Sequence, residues 1–408
     1  MSEDRPQAKL SLILAGGGIT GAMYEFGALQ ALDHFFAGSF TVNDFDIYVG
    51  TSGGAVVAAL IANGVPPGEV GRAIIHNTDS LLNFKQDDIL EIDWQEIKSS
   101  LLKALRMVPA LVRFYRRNPK QFSLARLVYA LEENLPPGLY SLAKYQTYLR
   151  RLLARAGCVN SFEALKRELY IPAVHLDTGE RVLFGTPGWR DVPISDAIAA
   201  SSALPLYFQP VTIRGLDFVD GGVGRVAHVD LPIERGSHFL FLVNPIIPLR
   251  NEGETACIPT FSGHCGRIRE KGITFVVDQT QRVSAHEKLA LGLERYRAQH
   301  PEARIFLIEP PPRESILFME NILSYGSRVA MLNYGYRSTA KQLRARFESF
   351  RQAFAAYGIE VSLEGLREDS PWEPPTPLAV PPTAPAEQTP GARPPERRAT
   401  SEREGTAA

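Results

Sequence analysis

The 408-residue sequence has little of several features that mark particular classes of protein. Its three cysteines are widely spaced and show neither a disulfide framework nor a zinc-site spacing, so no metal is expected and a reducing compartment fits. A net charge of −1 provides no overall field that would attract nucleic acid, and no nucleic-acid partner is expected. No apolar run approaches the roughly twenty residues of a membrane span, and no secretory signal is visible. We therefore expect a cytoplasmic protein, with any membrane contact peripheral.

The order of apolar segments indicates the class of fold. Hydrophobic residues make up 45% of the chain and charged residues 22%, as in globular proteins with a substantial core. Short apolar strands alternate with helical patterns, which predicts a parallel sheet covered by helices. The strands are predicted at 9–14, 46–49, 169–174, 181–184, 211–213, 216–219, 239–243 and 305–308. The helices are predicted at 21–36, 55–63, 278–298 and 324–354.

The domain organisation follows from changes in composition along the chain. Ten prolines fall among residues 370–408, which have few aromatic residues, so this tail is predicted to be disordered. Residues 1–369 are predicted to form one domain. Within it we distinguish a motif core at 9–245, a helical insertion at about 79–155 and a C-terminal α/β extension at 246–369.

A serine in a glycine-bounded turn is the first candidate for chemistry. Gly50-Thr51-Ser52-Gly53-Gly54 has the G-x-S-x-G spacing, with an apolar strand before it and a helix-forming run after it. That order predicts a nucleophile elbow, in which Ser52 is held in a strained turn at a helix N-terminus. The alternative is a glycine-rich turn whose serine only caps the helix.

A second glycine-rich turn, Gly16-Gly17-Gly18, follows the first predicted strand. Gly16, Gly18 and Gly21 match the G-x-G-x-x-G spacing of dinucleotide sites, but the acidic residue required at the end of the second strand is missing. A second interpretation is an oxyanion hole, in which backbone N–H groups of Gly17 and Gly18 point at a substrate carbonyl beside Ser52. A plain strand-to-helix turn with no ligand is the third.

A nucleophilic serine needs a base. None of the eight histidines lies in a recognisable catalytic loop, whereas Asp220-Gly221-Gly222 directly follows a predicted strand. An aspartate on such a turn can approach a serine hydroxyl closely, and partial burial would raise its basicity. Asp-Gly is also an ordinary turn sequence, so this motif alone does not decide the matter.

The three glycine motifs together resemble those of the patatin-like phospholipases. The segments 197–211, AIAASSALPLYFQPV, and 169–184 also resemble blocks of that family, so the similarity covers residues 9–245. The resemblance implies a three-layer α/β/α fold with a mainly parallel central sheet. It also implies lipid acyl hydrolysis by a Ser52–Asp220 dyad, with Gly16, Gly17 and Gly18 as the oxyanion hole and no cofactor or metal.

Two departures from the family pattern leave other functions open. Thr20 stands where the family commonly has an arginine or lysine, and Arg225 is a candidate to supply that charge instead. A lipid-binding pseudoenzyme is therefore one alternative. A carboxylesterase or thioesterase acting on soluble esters with the same dyad is another.

Residues 97–131 carry eight basic residues and no acidic ones, with apolar residues between them. A basic amphipathic segment can lie in a bilayer interface, so this segment is a candidate for peripheral membrane contact and for a lid over Ser52. The alternative is a pair of helices packed on the domain, with solvated cations.

Overall fold

The computed structural model describes residues 9–118, 134–225, 227–251, 258–259, 265–314, 317 and 322–372. The predicted tail, apart from its first three residues, and residues 119–131 of the basic segment lie outside the described ranges. The described residues belong to one compact unit spanning 1–373. The domain boundaries proposed from composition stay predictions.

The secondary structure alternates between strands and helices, as the sequence pattern predicts. The helices are α1 (Gly18–Phe35), α2 (Gly53–Ala62), α3 (Pro67–Ile75), α4 (Gln86–Ile89), α5 (Trp94–Arg117), α6 (Ala143–Leu153), α7 (Ile194–Ser201), α8 (Asp230–Glu234), α9 (Ile273–Gln299), α10 (Arg328–Ala345) and α11 (Phe347–Ala355). The strands are β1 (Lys9–Leu14), β2 (Phe36–Ala37), β3 (Ile47–Gly50), β4 (Glu91–Ile92), β5 (Gly138–Ser141), β6 (Glu168–His175), β7 (Arg181–Phe184), β8 (Leu206–Phe208), β9 (Val211–Ile213), β10 (Leu216–Asp220), β11 (Ser237–Val243), β12 (Ile258–Pro259), β13 (Cys265–Gly266), β14 (Arg304–Ile308) and β15 (Glu360–Val361).

The central sheet has the order β14-β11-β1-β3-β6-β10-β9, with β7 also paired to β6. The pairs from β14 to β6 are parallel, whereas β10, β9 and β7 join in antiparallel orientation. The mainly parallel central sheet is thus confirmed, with an antiparallel edge that the alternating pattern did not predict.

Helices cover both faces of this sheet. Alternate residues of β1 and β11 point to opposite sides: Leu12, Leu14, Phe239 and Phe241 pack into a core with helices that include α1, α2 and α10. Their neighbours Ile13, Leu240 and Leu242 pack against Leu289 and Leu293 of α9. Because side chains alternate across a strand, each strand contributes to both cores, and the three-layer α/β/α architecture is confirmed.

The strand register brings the predicted motifs to one edge of the sheet. Leu14 pairs with Gly50, so the glycine-rich loop after β1 lies beside the elbow after β3. On β6, Tyr170 pairs with Val49 and Ala173 pairs with Asp220. Since Ala173 is three residues beyond Tyr170, and Ser52 three residues beyond Val49, Asp220 lies level with Ser52 along the sheet. The antiparallel edge therefore returns the chain to the turn that contains Ser52.

The hairpin that delivers Asp220 has a two-residue turn. Ile213 of β9 pairs with Leu216 of β10, and both intervening residues, Arg214 and Gly215, have positive φ, 55° and 77°. This is the conformation of the turns whose twist matches that of the paired strands. It fixes the register of β10 on β9.

The segment predicted as one helix over 324–354 forms two helices, α10 and α11, which are separated at Arg346. The Arg346 guanidinium donates a hydrogen bond to the Leu307 carbonyl of β14 and stacks over the ring of Phe350. The break accompanies tertiary contacts, and no glycine or proline marks it. None of the helices within the described ranges is long and apolar enough to span a bilayer.

Candidate active site

Ser52 occupies the turn between β3 and α2 in a strained backbone conformation, with φ 54° and ψ −128°. A non-glycine residue adopts positive φ only where its surroundings over-determine the backbone. Close packing supplies this constraint, because a Cβ at Gly50 would lie 2.4 Å from the Gly54 carbonyl oxygen. The Thr51 N–H also donates to the Leu14 carbonyl at 3.0 Å. The strand, tight turn and helix predicted around Ser52 are all found.

The loop Gly16–Gly18 lies directly against this turn. All three glycines have positive φ, and a Cβ at Gly53 would lie 2.2 Å from the Gly18 carbonyl oxygen. The N-termini of α1 and α2 therefore start side by side, and neither has a side-chain cap. Unpaired N–H groups and the two helix dipoles together favour negative charge at this point.

The N–H groups of the loop have different partners. Gly16 donates to Oε1 of Glu25 at 2.7 Å, whereas the N–H groups of Gly17 and Gly18 have no acceptor among the residues described. Glu25 is completely buried, and burial raises the pKa of its carboxyl well above the ordinary value. Its buried Oε1 thus holds the loop through the Gly16 N–H. The N–H groups of Gly17 and Gly18 remain available to a ligand.

Asp220 ends β10 with its carboxyl group buried. Oδ1 accepts a hydrogen bond of 2.7 Å from the Gly222 N–H, and Oδ2 has no hydrogen-bond partner in the described part of the chain. Burial raises the pKa of Asp220 to about 6, against the opposing effects of the nearby Ser52 hydroxyl and the Gly222 N–H. The Ser52 hydroxyl thus lies close enough to favour the carboxylate, without completing a hydrogen bond to Oδ2. At neutral pH the carboxyl is ionised, and its Oδ2 is an unused acceptor among the residues described.

The segment Ser201-Ser202-Ala203 holds both residues in place. Ser201 Oγ accepts the Ser52 N–H at 3.0 Å, and Ser202 Oγ donates to the Ser52 carbonyl at 3.4 Å. The Ala203 carbonyl accepts the Asp220 N–H at 3.0 Å. These contacts give a physical role to the S-S-A part of the segment 197–211, which sequence reasoning used only as a resemblance.

His228 lies behind the Asp220 turn. Its Nδ1 faces Arg181 at 3.1 Å, and because an arginine can only donate, Nε2 carries the proton and donates to the Gly221 carbonyl at 3.4 Å. Burial lowers the pKa of His228 to about 4, so the ring is neutral. This histidine therefore supports the turn and is bonded to neither Ser52 nor the Asp220 carboxyl group.

The two departures from the family pattern have clear positions. Thr20 is buried, and its hydroxyl lies 3.5 Å from the Gly17 carbonyl. Arg225 pairs with Asp230 at 2.8 Å, so its charge is directed to that carboxylate.

The Ile322 carbonyl accepts the N–H groups of Ile19 at 2.8 Å and Thr20 at 3.4 Å. A segment outside the motif core therefore completes the N-terminus of α1.

An apolar pocket, partly open to solvent, adjoins Ser52. Gly18, Ser52, Gly53 and Ser202 supply its polar wall. The remaining lining is aliphatic or aromatic and includes Met23, Phe26, Leu60, Val70, Tyr148, Leu152 and Leu323. Such a lining can accept an apolar chain but provides few hydrogen bonds for a polar ligand.

The structure thus brings the predicted site residues to one place. Gly16, Gly17, Gly18, Gly50, Ser52, Gly53, Gly54, Asp220, Gly221 and Gly222 all lie at the same edge of the sheet. Sequence reasoning missed Glu25, the roles of Ser201 and Ser202, and Ile322. In the described ranges, no group of three or more His, Cys, Asp or Glu side chains is arranged to hold a metal ion.

Comparison with known proteins assigns the family. The model of the patatin-like phospholipase family matches residues 12–232, more than half of the chain. The protein therefore belongs to the patatin-like phospholipase family, and the resemblance predicted from the motifs is confirmed.

Two curated relatives and one solved structure show how far the similarity extends. A cGAMP-activated phospholipase of Escherichia coli (strain TW11681) is 27% identical over 234 residues, which are 54% of this chain and 53% of that protein. The uncharacterized protein YjjU of Escherichia coli (strain K12) is 24% identical over 340 residues, 81% of this chain and 74% of its own. The crystal structure of VipD from Legionella pneumophila is 15% identical with a TM-score of 0.35, covering 83% of this chain and 67% of that one. At that score the structural likeness adds nothing to the assignment.

Proposed function

We propose that the protein is a lipid acyl hydrolase of the phospholipase A or lysophospholipase type, with Ser52 as nucleophile and Asp220 as general base. The observation that carries this proposal is the position of Ser52 between three features. These are an apolar pocket, the Gly17 and Gly18 N–H groups, which have no acceptor among the residues described, beside the N-termini of α1 and α2, and a buried carboxylate with an unused acceptor.

In the first step Ser52 Oγ attacks the ester carbonyl carbon while its proton passes to Oδ2 of Asp220. An aspartate is an adequate base here because burial raises its pKa to about 6, much nearer to neutral pH than that of an exposed aspartate. The Gly222 N–H holds Oδ1, so the free oxygen is the one that receives the proton.

The negative charge on the carbonyl oxygen is stabilised by the N–H groups of Gly17 and Gly18. Their N–H groups have no other acceptor among the residues described, whereas the Gly16 N–H is held by Glu25 and supports the loop instead. Each such donor contributes about 3 kcal/mol to transition-state stabilisation. The adjacent N-termini of α1 and α2 add favourable potential without requiring a cation at Thr20.

The second half of the reaction releases the acyl chain. Collapse of the tetrahedral intermediate breaks the ester C–O bond, and the proton on Asp220 passes to the departing alcohol, a lysolipid or glycerol derivative. Water then attacks the acyl-Ser52 carbonyl and gives its proton to Asp220. The acid is released, and Ser52 recovers its proton.

The pocket lining supports a lipid rather than a soluble ester as substrate. An acyl chain would gain about 0.8 kcal/mol for each methylene buried against these side chains, whereas a short polar ester would leave them exposed to water. A pseudoenzyme would need neither the unused Asp220 oxygen nor the free N–H groups of Gly17 and Gly18. The pseudoenzyme and the soluble-ester hydrolase can each be distinguished from a lipid acyl hydrolase by experiment.

The test combines covalent labelling with turnover. We expect a fluorophosphonate to label the protein, and mixed micelles of phospholipid to be hydrolysed, with both activities lost in Ser52→Ala. The exposed Ser284 provides a matched control, because Ser284→Ala should change neither measurement.

The alternatives give different results in the same assays. A protein that is not labelled and releases no fatty acid from any lipid tested would be a pseudoenzyme. Efficient hydrolysis of a soluble short-chain ester, with none of phospholipids, would favour the carboxylesterase. Labelling that persists in Ser52→Ala would contradict the assignment of the nucleophile.

A further inference from the structure

One face of α5 exposes a continuous stripe of large apolar side chains. Trp94, Leu101, Leu105, Val108 and Val112 have exposed fractions of 61%, 59%, 56%, 47% and 52%. They are separated by seven, four, three and four positions, so at 3.6 residues per turn they form one line along the helix. We call these five residues the α5 stripe. Of all residues in this helix, only Ser100 is fully buried.

Cations flank the stripe on its solvent side. At 100° per residue, Lys98 and Arg116 lie next to it, and Arg106 and Arg113 lie further round the same side. From residue 97 to the end of α5 there are six basic residues and no acidic one, in a chain whose net charge is only −1. Lys103 pairs loosely with Glu96 at 3.9 Å. The helix is therefore locally cationic as well as apolar.

Exposed apolar residues continue from α5 towards the pocket. Strand β4, which directly precedes α5 in the chain, belongs to the small sheet β4-β5-β8, and this sheet exposes Ile92 by 44% and Leu206 by 63%. Leu206 has a φ of 74°, a strained value for a leucine, and its neighbours Leu204 and Phe208 line the pocket beside Ser52. The apolar surface thus leads from the stripe to the pocket wall.

We propose that α5 docks in the plane of an anionic lipid bilayer, with the α5 stripe among the acyl chains and its flanking cations on the headgroups. An apolar line bordered by lysine and arginine is what an interfacial helix presents to anionic lipid. An apolar interface with a protein or a second copy would not require this excess of cations, since Lys103 is paired with Glu96 and the other five have no acidic partner among the residues described. The purpose of the docking rests on the proposed function. Docking would bring the mouth of the pocket to the membrane surface that supplies the lipid substrate.

The experiment measures vesicle binding by the full-length chain carrying Ser52→Ala, so that hydrolysis cannot alter the membrane. We expect sedimentation with vesicles of phosphatidylcholine and phosphatidylserine, and much less with phosphatidylcholine alone. Lys98→Gln/Arg106→Gln/Arg113→Gln should weaken binding to the anionic vesicles on the order of 100-fold, since each cation near such a surface contributes roughly fivefold. Leu101→Ser/Leu105→Ser should weaken it at least about tenfold.

Helix α9 provides the matched controls. Ile273 and Leu291 are as exposed as the α5 leucines, at 79% and 65%, and Lys288, Arg295 and Arg297 are exposed cations. The serine and glutamine substitutions at these positions should leave binding unchanged. Since every substituted residue is exposed, unaltered thermal melting should confirm that each variant folds.

Three results would overturn the docking. One is failure of the parent to bind anionic vesicles; another is an equal loss with the α9 variants. The third is conversion of a dimer to a monomer by Leu101→Ser/Leu105→Ser, which would make the stripe a contact between protein copies. Because binding is measured without Ser52, an inactive wild type would refute the proposed function and leave this result intact.

Discussion

Replacing Asp220 by asparagine separates the charge of this side chain from its shape. The asparagine keeps an acceptor for the Gly222 N–H but cannot ionise. In the wild type, burial raises the pKa of Asp220 from an ordinary value of 3.8 to about 6, so folding opposes ionisation. The contribution of Asp220 to the free energy of unfolding therefore falls as pH rises between these two values, because the folded state holds this proton more tightly than the unfolded state.

The size of this effect follows from the pKa difference. Ionised at about pH 8, Asp220 costs the folded state about 3 kcal/mol, whereas at about pH 4 the cost is about 0.5 kcal/mol. Asp220→Asn has neither cost, because its side chain does not ionise. Its free energy of unfolding relative to the wild type should therefore increase by about 2.5 kcal/mol between the two pH values. Any fixed cost of the buried amide, which has no known acceptor, cancels in this difference.

Urea unfolding of both proteins at a series of pH values measures the difference directly. The expected curve rises through pH 4 to 6 and is flat above. A stability difference that does not change with pH would refute the raised pKa, and with it the basis for Asp220 as a base. In the same window, kcat/KM of the wild type should fall about tenfold per pH unit below the pKa of Asp220, and Asp220→Asn should lower turnover by several orders of magnitude.

Two further predictions concern the loop and the pocket. Glu25→Gln keeps an acceptor for the Gly16 N–H and should preserve activity, whereas Glu25→Leu leaves that buried N–H unpaired. Glu25→Leu should therefore cost about 1 to 3 kcal/mol in urea unfolding and should lower turnover; equal behaviour of the two variants would contradict the anchoring role. Val56→Phe narrows the pocket and should shift kcat/KM towards shorter acyl chains, by about fourfold for each methylene excluded. The exposed Val283→Phe is its control, and an unchanged chain-length profile would show that the acyl chain binds elsewhere.

The parts of the site that were predictable are those with local signals. Gly16–Gly18 and the elbow at Ser52 each lie between an apolar strand and a helical run, so strand, turn and helix could be read directly. Asp220 followed from its position after a strand. Its proximity to Ser52 depends on the register of β10 against β6, which no local pattern encodes.

Other features depend on contacts between distant segments. The hydroxyls of Ser201 and Ser202 bond the backbone of Ser52 about 150 positions away, and a serine in a small-residue helix carries no sign of this. A glutamate in a helical segment is expected at the surface, yet Glu25 is buried beneath the loop. The break at Arg346 similarly coincides with contacts to β14 and Phe350 and has no local helix breaker.

The two-residue turn at Arg214 and Gly215 has a consequence for how this site can change. Side chains alternate along β10, so insertion of a single residue in the turn, with β9 held in place, would slip the register and direct Asp220 to the opposite face. Insertion of two residues would restore the face but displace the carboxylate along the strand by about 7 Å. The loop length of the hairpin, at a turn remote from the proposed dyad, thus determines whether Asp220 lies beside Ser52.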